Sequence, residues 1–257
     1  MTSRPQPKHT RKPPHERRAE IVGAAAHIAL EEGLELITLR RVAQDLEVRP
    51  GLIGHYFPAA DELLAEAFTH ATTRERESLL PPHEAEKEPV DRLARFLVGL
   101  ADGDYVGLSR LWLNARHLSR FKTPLRLAVR AQESRTRAAL VALIDEGVRA
   151  GQFTTDDSVR TALHILVAVD GLGAYANDND ACADAHAGAG PGAGADDRAA
   201  PGDPGPDLGP DLGLGLDMRD VAIETAETRL GLSPGTLRAQ VGATGGTTDG
   251  TTVRARS

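Results

Sequence analysis

Cysteine and aromatic residues are nearly missing from this chain: one Cys, five Phe, three Tyr and one Trp in 257 residues. A lone Cys182 excludes an intrachain disulfide, so an apolar core has to hold the fold. No run is long or apolar enough for a membrane span or a signal peptide, which sets the expectation of a cytoplasmic protein. Catalytic signatures are missing too: there is no GxSxG elbow, no GxxxxGK phosphate loop and no HExxH pair. The nine histidines form no tight cluster, and His9 and His15 are too isolated to hold a metal. Cys182 lies among Gly, Ala and Asp, where a nucleophile could not be held in position. These absences point to a non-enzyme that needs no cofactor and no metal.

Apolar residues at 40% support a globular core, but 26 Gly and 16 Pro are too many for a helical fold unless they are concentrated. They are. Between Asn177 and Leu216 the chain is mostly Gly, Ala, Pro and Asp, with PDLG repeated at 206–209 and 210–213. That stretch has neither aromatics nor β-branched residues to offset the entropy of ordering, so a disordered insertion is expected over about 178–215. A second loose stretch is expected from Gly235, within a tail of residues 233–257.

The net charge of −7 sits badly with an acidic partner or substrate, yet it is unevenly spread. Residues 181–217 hold seven Asp against Arg198 alone, a net of −6 that leaves −1 for the rest. The first twenty residues carry six Lys and Arg against Glu16 and Glu20, a net of +4. Local sign governs encounter with a polyanion more than the total does. Residues 1–14, basic and proline-rich, read as a disordered arm, either a solubilising tail or a segment that touches DNA.

Helical periodicity covers nearly everything else. A first helix is expected over 15–32, burying Ile21, Ala25 and Ile28 and stopped by Gly33. The next stretch, TLRRVAQDLEVRPGLIGHYF over 38–57, compresses two short helices and a turn. Thr38 caps the first, which buries Leu39, Val42, Ala43 and Leu46; Glu47 takes the turn; Val48 plugs the core; and Pro50 opens the second. Ile53 and Phe57 face inward. Arg49, Pro50, Gly51, Leu52, Gly54, His55 and Tyr56 are left on the other side, a mixture of charge, small residues and flat rings suited to a major groove.

A fourth helix over 59–80 carries Leu63, Leu64, Ala67 and Phe68, with Arg74, Glu75, Arg76 and Glu77 read as a solvated face. Pro81-Pro82 break it, and further helices follow from Pro89 (Leu93, Leu97, Leu100), over 105–117 (Leu108, Leu111, Trp112, Ala115) and over 123–150 (Val129, Leu140, Leu143, Ile144, Val148). Phe153 is expected to fold back over the last of these. The eighth helix, over 156–175, is apolar around a wide arc of Val159, Leu163, Ile165, Leu166, Val167, Val169 and Leu172. Such an arc implies burial on more than one side, as in a helix shared between a subunit core and a dimer interface; packing within one chain is the alternative. A ninth helix over 217–230 carries Ala222 and Ala226 one turn apart, small enough for close helix approach.

Thr38-Leu39-Arg40, Val42-Ala43, Val48, Gly51, Ile53, Tyr56-Phe57-Pro58 and Glu62-Leu63-Leu64 together resemble the TetR family of bacterial transcriptional regulators. The run from Gly51 to Phe57 looks most like the branch typified by the choline and glycine-betaine regulator. The resemblance implies an all-α fold: an N-terminal three-helix helix-turn-helix DNA-binding domain over 15–60 and a helical ligand-binding and dimerisation domain over 61–232. It implies a homodimer, joined through the eighth and ninth helices, on a pseudo-palindromic double-stranded operator. By family position Thr38 and Tyr56 hold phosphates while Arg49, Gly51, Gly54 and His55 lie against base edges, with Arg40 and Pro50 completing the DNA-facing set. The chain departs from the pattern at Arg49, at Gly54 and at Ala60, which stands where a phosphate-binding lysine is usual.

The resemblance also implies a small-molecule inducer in a pocket walled by helices four to eight. Polar or aromatic residues set into otherwise apolar helices are the candidates to line it: Phe68, Trp112, Asn114, His117, His164 and Asp170. A quaternary ammonium would want an aromatic face such as Trp112. The competing reading is a helical ligand-binding or scaffold protein whose helix-turn-helix serves packing only.

Overall fold

The computed structural model describes residues 13–81, 87–99, 105–187 and 218–244. The expected arm and most of the expected insertion lie outside the described residues. Ten α-helices run in order: α1 Pro14–Glu31, α2 Leu39–Asp45, α3 Pro50–Tyr56, α4 Ala60–Leu79, α5 Pro89–Gly99, α6 Tyr105–Leu118, α7 Thr123–Arg149, α8 Ser158–Ala187, α9 Met218–Leu230 and α10 Thr236–Thr244. One 3₁₀ turn, Leu34–Leu36, follows α1, and among the described residues there is no strand. The chain is all-α. It divides into two compact units, residues 1–72 with 114–130 and residues 73–113 with 131–257.

In the first unit, α1 buries Ile21, Val22, Ala25, Ala26, Ile28 and Ala29 at helical spacing. It ends where the Glu32 and Gly33 amides both donate to the Ile28 carbonyl, with Gly33 at φ 118°, a conformation costly to any residue with a Cβ. Leu34, Ile37, Val42, Ala43, Ile53, Phe57, Leu63, Leu64, Ala67 and Phe68 join this core, as do Ala115, Leu125 and Val129 from the second segment. Removal from water is worth about 1.5–3 kcal/mol for each large side chain, so this core outweighs any single surface pair. Leu39, Leu46 and Val48 are only half-buried, being at the rim of a two-helix unit too small to enclose them.

Polar ties fix the periphery. Arg18 pairs with Glu66 of α4, and its guanidinium lies 4.7 Å from the centre of the Phe57 ring. Lys122 reaches Asp61 at 2.5 Å, and Asn114 Nδ2 donates to Glu35 Oε2 at 3.0 Å.

The second unit is built around Leu93, Ala94, Phe96 and Leu97 of α5, Leu140, Leu143 and Ile144 of α7, Ala162, Ile165 and Val169 of α8, and Ala222, Ile223, Ala226 and Leu230 of α9. The small pair on α9 is thus buried, and α9 runs along α8. Phe153 folds back over the end of α7 as expected, so closely that a Cβ on Gly147 would stand 2.0 Å from its ring.

Four sequence expectations are corrected here. First, α8 does not stop near Tyr175 but continues to Ala187, into the stretch expected to be disordered. The reason is composition: Ala174, Ala176, Ala181, Ala183, Ala185 and Ala187 are strong helix formers, and the first glycine of the low-complexity stretch is Gly188. Second, the tail expected to be loose from Gly235 begins with α10. The buried Glu227 carboxylate accepts the Gly235 and Leu237 amides, each at 2.9 Å, satisfying free N–H groups at the start of α10, and Leu237 is buried. Third, Val148 is exposed. Fourth, the run 74–77 is not one solvated face: Arg74 and Glu77 are exposed, whereas Glu75 and Arg76 are half-buried and hydrogen-bonded.

Candidate nucleic-acid interface and an interior polar cluster

Thr38 at φ −127°, ψ 154° caps α2, its Oγ1 accepting the Arg41 amide at 3.0 Å; the hydroxyl proton remains available to an outside acceptor. Arg41 turns back to the protein, pairing with Glu32 and Asp45, and the Glu32 bond raises its pKa further. Between the helices Glu47 sits at φ 53°, and the Val48 amide donates to the Ala43 carbonyl at 2.9 Å, closing a tight turn. Pro50 then takes the first position of α3, where a missing N–H costs nothing.

Ile53 and Phe57 are buried, and this sets the outer face of α3. Arg40, Arg49, Pro50, Gly51 and His55 are exposed with Thr38; Gly54 and Tyr56 are half-exposed. Among the described residues neither Arg40 nor Arg49 is held in an ion pair. The His55 and Tyr56 rings meet edge to face, centres 5.4 Å apart. All eight expected DNA-facing residues therefore fall on one short segment with their polar groups outward. A Cβ at Gly51 or at Gly54 would meet nothing within 4 Å. Each interior glycine costs a helix about 1 kcal/mol against Ala, and nothing inside this chain accounts for that cost. Two such glycines make a smooth surface that another molecule can approach closely.

The six expected ligand residues do not form one group. Phe68 is fully buried in the first unit's core, Asn114 is bonded to Glu35, and exposed His117 lies edge-on to Phe121. In the second unit His164 is half-buried with Nδ1 enclosed and lacking a hydrogen-bond partner, and Asp170 is exposed. Trp112 Nε1 donates to Glu75 Oε2 at 3.0 Å. Burial pushes the Glu75 carboxyl up from 4.5 to about 7, with the indole N–H and Arg76 opposing and Asp170 reinforcing the shift. Arg76 in turn donates to Gln132 Oε1 at 2.8 Å; Gln132 is fully buried, and its Nε2 has no partner.

The sequence reading missed Glu75 and Gln132. A signal for Glu75 was present: it continues the buried stripe of Phe68, Ala71 and Thr72 along α4. Among the described residues no grouping of His, Cys, Asp and Glu could hold a metal ion, and no helix is long and apolar enough to cross a membrane.

A helix-turn-helix with its second helix facing outward, attached to an all-α remainder, defines the class: the chain has the fold of the TetR-family regulators, and the resemblance carried by Thr38 to Leu64 stands. A TetR transcription regulator from Haloarcula marismortui aligns with a TM-score of 0.62 at 21% identity, covering 84% of this chain and 99% of that one. A transcriptional regulator from Saccharomonospora viridis in complex with choline aligns at 0.55 and 20% identity over 65% or less of this chain, namely 63%, and 85% of its own. FadR from Bacillus subtilis in complex with stearoyl-CoA aligns at 0.53 and 16% identity, covering 82% and 97%. In sequence, the HTH-type transcriptional regulator BetI of Paraburkholderia phytofirmans is 29% identical over 119 residues, 43% of this chain. The match spans 58% of that relative's length. No protein-family model matches the chain.

Proposed function

We propose that this protein is a DNA-binding transcriptional regulator: a homodimer that sets α3 of each copy into the major groove of a pseudo-palindromic operator and represses until a small molecule releases it. The observation that carries the reading is the outer face of α3, where Arg49, His55 and two internally unneeded glycines are presented together. Thr38 and Tyr56 hold phosphates, and Arg49 offers a bidentate contact to guanine. The head spans residues 15–60 and the body 61–232. The copies meet along α8, where Val159, Leu163 and Val167 repeat every four residues and are exposed in the single chain. The fold's relatives were captured with choline and with stearoyl-CoA, so the fold alone leaves the ligand open.

Release works through α4, whose residues 60–72 lie in one unit and 73–79 in the other. A ligand held by Glu75 and Trp112 that binds a tilted α4 more tightly shifts the dimer off operator spacing, and operator must weaken ligand binding by the same factor. A mobility-shift assay on the chain's own upstream DNA tests the reading. Arg49→Ala should cost about 1–3 kcal/mol on the cognate site and relax preference at one base pair. Tyr56→Phe should weaken all sequences alike. An unchanged sequence preference in Arg49→Ala would remove the base-reading role.

A further inference from the structure

We infer that the interior of the second unit binds an organic cation carrying a hydrogen-bond acceptor, with the Glu75 carboxylate as counter-ion and the Gln132 amide donating to the acceptor. This rests on the proposed ligand-responsive reading and supplies its ligand class.

Two independent observations meet on one turn of α4. Glu75 presents an enclosed carboxylate whose hydrogen-bond partner is an uncharged indole, Trp112, and Asp170 of α8 adds a second negative charge within electrostatic reach. Enclosing a carboxylate without a positive partner is costly, which is why its proton is held up to about 7. A ligand that brings a positive charge offsets that cost. The indole N–H takes Oε2 and fixes the carboxylate, leaving Oε1 for the ligand. Gln132 supplies the second feature. Arg76, next to Glu75, donates to its Oε1 and so sets the orientation of the amide; the Nε2 group is buried and has nothing to donate to. A hydroxyl, ether or carboxylate oxygen on the ligand would satisfy it. Anions and plain hydrocarbons fit neither requirement.

The test uses the full chain without DNA. Tetramethylammonium, choline and a set of aliphatic and aromatic amines are each compared with an uncharged isostere, 3,3-dimethylbutan-1-ol serving for choline, by thermal shift and calorimetry. At least one cation should bind roughly tenfold or more tighter than its isostere. Glu75→Gln should abolish that preference while melting cooperatively, and Gln132→Leu should weaken choline more than tetramethylammonium. If Glu75→Gln fails to fold, Trp112→Phe, which removes the hydrogen bond to the carboxylate, should lower cation affinity instead. Isosteres binding as tightly as cations, a panel without any binding cation, or a folded Glu75→Gln with undiminished cation affinity would each overturn the inference. Cation binding in a chain that ignores operator DNA would uphold this site and sink the regulator reading.

Discussion

Glu75 couples a single carboxyl to the stability of the whole chain. An unfolded glutamate gives up its proton near 4.5, whereas the folded chain holds this one up to about 7. Between those values the folded state binds more protons, so this group's contribution is fully present below 4.5 and is lost as pH rises through about 7. Glu75→Gln removes the titration and should be more stable than the parent by about 1–3 kcal/mol at pH 8, with the gap closing toward pH 4 in urea melts. A gap that stays constant across that range would contradict the enclosed carboxyl. The residue also shows where sequence reading stops. Thr38, Pro50 and Phe57 were legible because their roles are local: a cap, a first-turn proline, an inward position in a periodic pattern. Glu75 was not, because its burial depends on Trp112 of α6 and Gln132 of α7, brought in from far along the chain.

Individual helices show the same division between local and distant causes. α2 and α3 matched expectation because cap, turn and proline all lie within the segment itself. α10 was missed because its N-terminal amides are satisfied by Glu227, a side chain on another helix. The extension of α8 was misread because its alanines were grouped with the Gly and Pro that follow them. Two glycine substitutions separate packing from function at this scale. Gly147→Ala would drive a methyl into the Phe153 ring and should destabilise by about 1–3 kcal/mol in urea melts. Gly54→Ala meets open space and should stabilise the free chain by up to about 1 kcal/mol while weakening operator binding. Were Gly54→Ala to leave operator affinity intact, close approach of DNA to α3 would be excluded.

At the scale of the molecule, the proposal needs two copies. Val159, Leu163 and Val167 have relative exposures of 57%, 49% and 60% in one chain, so exchanging all three for Lys should leave the monomer folded and halve the mass measured by light scattering. An unaltered dimer would move the interface elsewhere. Two copies also fix what DNA must look like, since the two α3 helices have to meet successive major grooves roughly 34–36 Å apart. The most direct measurement is a footprint of the full chain on its own upstream DNA beside a scrambled control. The account predicts two protected half-sites, inverted with respect to each other and about one helical turn apart, with affinity falling steeply as salt rises. Equal protection of the scrambled DNA, or none on either, would contradict it.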